Sequence, residues 1–205
     1  MPRPTLTDDQ LNDMRTRLLA ETGRLIAREG YAAFSMRRLA TMVNLTAGAL
    51  YRYYPTKHHV LLAYFAEALE TLTNRITVIS AAEADHRIAV RRMMEDYLRF
   101  CLEDRDRFRL LFLENDQGQL PELSKDPVVI HSYLVLRDRV SQAIASGALR
   151  SMPADQATQI LWGAVHGVIC LSTTVVEMDF GDTKALASAA LENAIRGLTP
   201  SALEN

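Results

Sequence analysis

The chain has 205 residues, 48% of them apolar, and a formal net charge of −2, which fits a globular protein of one large or two small domains and excludes a disordered one. That small charge hides an asymmetry: residues 1–57 hold 9 Lys/Arg and 5 Asp/Glu, a net of +4, and the rest hold 14 and 20, a net of −6. A basic head on an acidic body fits a protein that touches DNA with one end only. Met1–Asp9 is polar and proline-rich with no apolar core, so no signal peptide is expected and the expected location is cytoplasmic. Glycine and proline are sparse and no strand-like alternation is sustained, which predicts an all-α fold of about nine helices. The first helix is expected over Asp8–Glu29, with Leu11, Met14, Leu18 and Leu25 facing inward and Gly30 ending it.

Ser35–Tyr54 reads SMRRLATMVNLTAGALYRYY. Leu39, Val43, Leu45 and Leu50 recur at helical spacing, which predicts two short helices sharing a small core. Ser35 is placed to cap the first, and Asn44 falls at the turn, where positive φ is often required. Thr46 is placed to cap the second, Pro55 stops it, and Tyr54 before proline is pushed out of the helical region. Thr56 then caps a helix starting near Lys57, whose free amides make a phosphate seat. The outward face of the second helix is expected to carry Thr46, Ala47, Gly48, Tyr51, Arg52 and Tyr53. Small residues followed by aromatics and a guanidinium suit a helix pressed into a major groove, with Arg37, Arg38 and Lys57 around it. An ordinary helical hairpin with a solvated basic face is the plain alternative.

Residues from about Met14 to Leu72 resemble the N-terminal DNA-binding domain of the TetR/AcrR family of bacterial repressors. AREGYAAFSMRRLA matches the family's entry to the motif, and TAGALYRYYPTK matches its signature of a small residue before Leu-Tyr, an aromatic pair and a later Lys. Asn44 departs from a common Gly, and Met36 from a common Thr. The resemblance implies a three-helix head plus a larger C-terminal helical bundle. It implies base contacts from Ala47, Gly48, Tyr51 and Arg52, and phosphate contacts from Ser35, Arg37, Tyr53 and Lys57, with Thr46 capping the reading helix.

The expected domains are 1–57, continuing into a linking helix over 57–80, and 58–205 for effector binding and dimerisation. Later helices are expected near Lys57–Ser80, His86–Glu103, a short one holding Phe108, Leu111 and Phe112, then Pro127–Ser146, Asp155–Met178 and Thr183–Arg196. Asn115–Asp126, with Gly118 and Pro121, reads as a loop. Ile160–Val176 is an uncharged run of 17 residues. It sits at the short limit for a membrane span, contains His166 and lacks an aromatic and basic border. Burial on two sides explains it better, with one side facing the core and the other a second subunit. Gly163 and Gly167 would let a neighbouring helix approach, and Leu186, Ala189, Ala190 and Ala194 offer a flat face beside them. The expectation is a homodimer through two helices per subunit, reading a palindromic operator.

Trp162 and His166 are one helical turn apart, and WGAVHG resembles a W…HG string in one group of TetR-family C-terminal domains. That resemblance implies an effector pocket for a small, largely apolar ligand, lined by Leu98, Cys101, Phe108, Phe112, Trp162, His166 and Cys170. Taken singly, Trp162 filling the core and His166 satisfying a carbonyl explain each residue as well. Ligand binding is expected to move the fourth helix and lower DNA affinity. Cys101 and Cys170 lack metal-ligand spacing and read most simply as reduced thiols. Glu83-x-x-His86 has the spacing of a di-iron motif but stands alone, and no phosphate loop or nucleophile elbow occurs. No catalytic residue, metal or cofactor is therefore expected. The function read from the sequence is a ligand-released DNA-binding repressor. The alternatives are a helical enzyme or small-molecule carrier with a degenerate DNA-binding head, and a DNA-binding protein whose body docks another protein.

Overall fold

The computed structural model describes residues 7–113 and 127–200. Nine α-helices follow one another among the described residues, with no strand: α1 Asp8–Glu29, α2 Met36–Met42, α3 Ala47–Leu50, α4 Lys57–Ala82, α5 His86–Glu103, α6 Arg105–Phe112, α7 Pro127–Ala145, α8 Ala154–Thr174 and α9 Thr183–Leu198. The all-α expectation is met. The expected loop Asn115–Asp126 and the start of the polar Met1–Asp9 stretch lie outside the described residues. The chain forms two compact units. Among described residues, 7–66 and 110–113 fall in a head unit, and 67–109 and 127–200 in a body unit.

The head is built by local signals. Thr7 and Gln10 form a reciprocal cap at the start of α1, the hydroxyl accepting the Gln10 amide at 3.3 Å and the Gln10 carbonyl oxygen accepting the Thr7 amide at 3.1 Å. Gly30, at φ +76°, ends the helix in a conformation that side chains resist. Leu18, Leu25, Leu39, Val43, Leu50, Val60 and Phe65 form the centre of the core, and Leu11 and Met14 pack half-buried at its edge. Gly23 has a steric role that its sequence context does not announce. A Cβ there would sit 3.1 Å from the Tyr64 ring, so glycine lets α1 approach α4.

The body packs α5 against α7, α8 and α9, and α8 against α9. Its core holds Val90, Met93, Met94, Leu98, Leu161, Val165, Ile169, Leu191 and Ile195. One carboxylate is buried with them. Asp96, 2% exposed, is held by Arg75 Nε of α4 at 2.9 Å and by Arg99 Nη2 at 2.7 Å. In the Glu83-x-x-His86 stretch Glu83 makes structural contacts: its carboxylate takes an ion pair from Arg92 at 2.9 Å, and its carbonyl accepts from Arg139.

Helix α8 corrects one expectation. It stops at Thr174, not Met178. The Thr173 and Thr174 hydroxyls donate to the Ile169 and Cys170 carbonyls at 2.7 and 2.8 Å, and a β-branched run Thr173–Val176 follows poorly as helix. Among the described residues one side of α8 is covered, as expected of its core-facing side: Ala157, Leu161, Val165 and Ile169 are buried, while Ile160, Gly163 and Leu171 are exposed. Among the described residues no helix is long and apolar enough to cross a membrane.

Candidate functional site

The α2–α3 pair is positioned by its own caps. The Ser35 hydroxyl accepts the Arg38 amide at 3.3 Å, and the Thr46 hydroxyl accepts the Ala49 amide at 3.2 Å. Asn44 sits at φ +57°, the left-handed turn conformation expected of it. From that turn the Leu45 amide reaches back to the Ala40 carbonyl at 2.8 Å, locking the angle between the two helices. The Thr56 hydroxyl accepts the His59 amide at 3.3 Å and starts α4.

Regular α-helix in α3 ends at Leu50, earlier than expected. Arg52 and Tyr53 bond three residues back, to Ala49 and Leu50 at 3.3 and 2.9 Å, so the last turn tightens ahead of Pro55. The tightening redirects one side chain. Tyr53 was expected on the outward face; it is 8% exposed and packs in the head's core with Tyr54. Burial raises the Tyr54 hydroxyl pKa above its ordinary value.

Most of the other expected DNA-facing residues are open to solvent. Ser35, Arg37, Thr46, Gly48, Tyr51 and Arg52 are exposed, Ala47 is half-exposed, and Tyr51 is the most open large apolar side chain of the head at 49%. Arg38 is committed to an ion pair with Glu29, whose carboxyl is held below its usual range first by the Arg28 hydrogen bond and further by Arg38. Among the described residues Arg37 and Arg52 form no ion pair, so they remain as available cations. Lys57 lies 5.9 Å from the centre of the Phe34 ring.

The body gathers most of the expected ligand residues around one hydrogen-bond chain. Trp162 Nε1 donates to the Tyr97 hydroxyl at 3.0 Å, and that hydroxyl is 2.6 Å from His166 Nδ1. Phe108 and Trp162 rings lie 5.0 and 5.1 Å from the His166 ring, and Tyr133 packs edge-on to Trp162 at 6.1 Å. Leu98, Cys101 and Phe108 are buried, and Cys170 lies one turn beyond His166 on α8. Phe112, half-buried in the last turn of α6, groups with the head unit.

Tyr97 and Tyr133 were not anticipated. Tyr97 had a signal, since it precedes Cys101 by one turn on α5 as His166 precedes Cys170 on α8. Tyr133 had none. Burial sets the chemistry of this cluster. It pushes the Tyr97 hydroxyl well above its usual range and the Cys101 thiol up to about 12, and it pulls His166 down to about 4. All three are neutral at physiological pH.

Residues 18–64 match the family model described as bacterial regulatory proteins, tetR family. The chain is 36% identical over 76 residues to the HTH-type transcriptional repressor KstR of Rhodococcus jostii, an alignment that covers 35% of this chain and 36% of that protein. It therefore spans about a third of the length of that repressor. Over 178 residues it is 22% identical to the fatty acid metabolism regulator protein of Bacillus subtilis, covering 85% of this chain and 90% of that one. Its fold is similar to that of Thermus thermophilus FadR, a TetR-family transcriptional repressor crystallised with lauroyl-CoA, with a TM-score of 0.74 at 16% identity over 92% of this chain and 97% of that one.

Proposed function

We propose that this chain, whose head belongs to the tetR family of bacterial regulatory proteins, is a cytoplasmic, homodimeric repressor released from DNA by a small, largely apolar ligand. The capped α2–α3 pair carries the reading: its small residues and its uncommitted Arg37 and Arg52 are open to solvent in the stretch that the family model matches. Ala47, Gly48, Tyr51 and Arg52 face base edges, while Ser35, Arg37 and Lys57 hold phosphates, and Thr46 fixes the start of the reading helix. The buried Tyr53 ring seats that helix. The stripe of exposed Ile160, Gly163 and Leu171 and half-buried Gly167 on α8, with exposed Leu186 and Ala189 on α9, is the surface a second subunit covers. A two-fold dimer then reads an approximately palindromic operator.

Ligand control follows from one continuous element. Residues 57–66 of α4 belong to the head and 67–82 to the body. A ligand that favours one arrangement of α5 and α8 displaces the body half of α4, and the helix carries that displacement onward. Whatever factor the ligand takes from DNA affinity, DNA takes from ligand affinity, on the order of 1–3 kcal/mol for such couplings. Relatives named as regulators and a neighbour holding lauroyl-CoA support this regulator over an enzyme or carrier with a degenerate head.

The deciding experiment is a mobility shift on DNA from upstream of the protein's own gene across a salt series. Binding with a steep salt dependence is expected. Lys57→Ala should weaken binding to all sequences alike and flatten the slope of log affinity against log salt by about one unit, whereas Arg52→Ala should alter sequence preference. Absence of any shift at low salt overturns the repressor reading in favour of the enzyme or carrier.

A further inference from the structure

Three charged side chains meet where α1 and α2 come together in the head. Glu29, the last residue of α1, has an arginine on each carboxylate oxygen. Its Oε1 accepts from Arg28 Nε at 3.0 Å and from Arg28 Nη2 at 2.6 Å, and its Oε2 pairs with Arg38 Nη2. Arg38 stands in the first turn of α2 beside Arg37, and its amide is the one that the Ser35 hydroxyl caps at 3.3 Å. It is thus a neighbour of the two residues assigned to phosphates in this stretch, yet its guanidinium is joined to a carboxylate of α1. The carboxyl stays ionised at neutral pH, since the Arg28 hydrogen bond first and Arg38 further hold it below its usual range.

We infer that Glu29 withholds Arg38 from the DNA backbone, so that α2 meets phosphate with one arginine fewer than its sequence offers. The inference rests on the reading that the α2–α3 pair binds DNA. An isolated exposed ion pair would yield easily to a phosphate. This one resists for two reasons. Two nitrogens of Arg28 fix the carboxylate, which is also the less exposed partner at 23% against 46% for Arg38, so it does not swing away when Arg38 is pulled. Removing Arg38 would also leave Glu29 with an oxygen uncovered beside a phosphate, a like-charge approach that opposes the exchange. The consequence is on total affinity. Phosphate contacts strengthen binding to every sequence alike and carry no base information. Withholding one of them loosens the grip on all DNA without touching base contacts, and it keeps the complex weak enough for a modest effector coupling to open it.

The test follows binding of the full-length protein to DNA from upstream of its own gene, and to a random fragment of equal length, by fluorescence anisotropy across a salt series. Arg38→Ala should leave affinity and salt slope as they are on both fragments. Glu29→Gln keeps the shape and removes the charge. It should tighten binding to both fragments alike and steepen the slope of log affinity against log salt by about one unit. Between about 50 and 200 mM salt that variant should lose roughly 3.5-fold more affinity than the wild type. Adding Arg38→Ala to Glu29→Gln should return the slope to the wild-type value, because the freed guanidinium is gone. Both side chains are partly exposed, and circular dichroism checks that each variant folds. A flatter slope for Arg38→Ala would mean that Arg38 already touches phosphate, and it overturns the inference. So does an unchanged slope for Glu29→Gln, or a gain that survives in the double variant and so comes from the lost carboxylate alone. The two single variants probe the pair from opposite sides, and either can overturn it. Absence of binding to both fragments at low salt sinks the repressor reading itself, and the inference with it.

Discussion

The Tyr97 hydroxyl and His166 Nδ1 lie 2.6 Å apart, so residues 69 apart in sequence join α5 to α8 in the interior of the body. The bond has a pH signature. His166 has a pKa of about 4 in the folded chain against an ordinary 6.5, because burial disfavours its charged form. Below the ordinary value the unfolded chain takes up a proton that the folded chain refuses. The stability associated with the neutral ring is therefore fully present above about pH 6.5 and is lost as pH falls towards about 4. After discounting for the ring's partial exposure, the loss is about 2 kcal/mol. Thermal unfolding of the wild type and of His166→Asn across that range measures it. The wild-type curve should fall more steeply, and parallel curves would show that the ring is not held neutral.

Gly163 and Gly167 separate fold from assembly. An added Cβ at either position meets no atom of the described residues within 4 Å. Gly163→Leu should leave the folded subunit intact, and the gain in helix propensity should slightly favour α8. If a second subunit closes against this stripe, the same change crowds the interface by about 1–3 kcal/mol or more. Sedimentation should then show a dimer for the wild type and a shift towards monomer for the variant. A wild type that is monomeric at micromolar concentration removes the dimer from the proposal.

Tyr51 and Tyr53, two residues apart, should behave as opposites. Tyr53 is 8% exposed and Tyr51 is 49% exposed. Tyr53→Ala empties part of the head's core and should cost about 3–5 kcal/mol of stability. Tyr51→Ala should leave stability within about 0.5 kcal/mol and lower DNA affinity. Chemical denaturation paired with mobility shifts distinguishes them, and a stable Tyr53→Ala that loses only DNA affinity would return that ring to the outward face.

The Arg75–Asp96 contact gives a contrast between one change and two. Asp96 is 2% exposed, so Arg75→Met leaves a buried carboxylate with Arg99 alone and should cost about 3 kcal/mol. Replacing both, as Arg75→Met with Asp96→Leu, removes the charge with its partner and should recover most of that loss. Urea unfolding of the three proteins checks it. A double variant as unstable as the single one would mean that the pair does more than neutralise itself.

Local chemistry makes the head legible in the sequence. Ser35, Thr46 and Thr56 cap the helices that they precede, Asn44 takes the positive φ, and Gly30 ends α1, because each depends on only a few neighbouring residues. Helical spacing alone points Tyr53 outward, but the tightened last turn buries it. Helix α8 ran too far for a related reason: uncharged residues continue to Val176, but hydroxyls that bond their own backbone end the helix at Thr174.

The sequence by itself determined the helices, the capped motif, the basic head and the uncharged helix, since periodicity, capping and charge act over a few residues. The tertiary structure decided that Gly23 admits the Tyr64 ring, that Asp96 is a buried charge and that Tyr97 bridges Trp162 and His166. Each of these joins residues from different helices, and the relative placement of packed helices is not written in the spacing of either one.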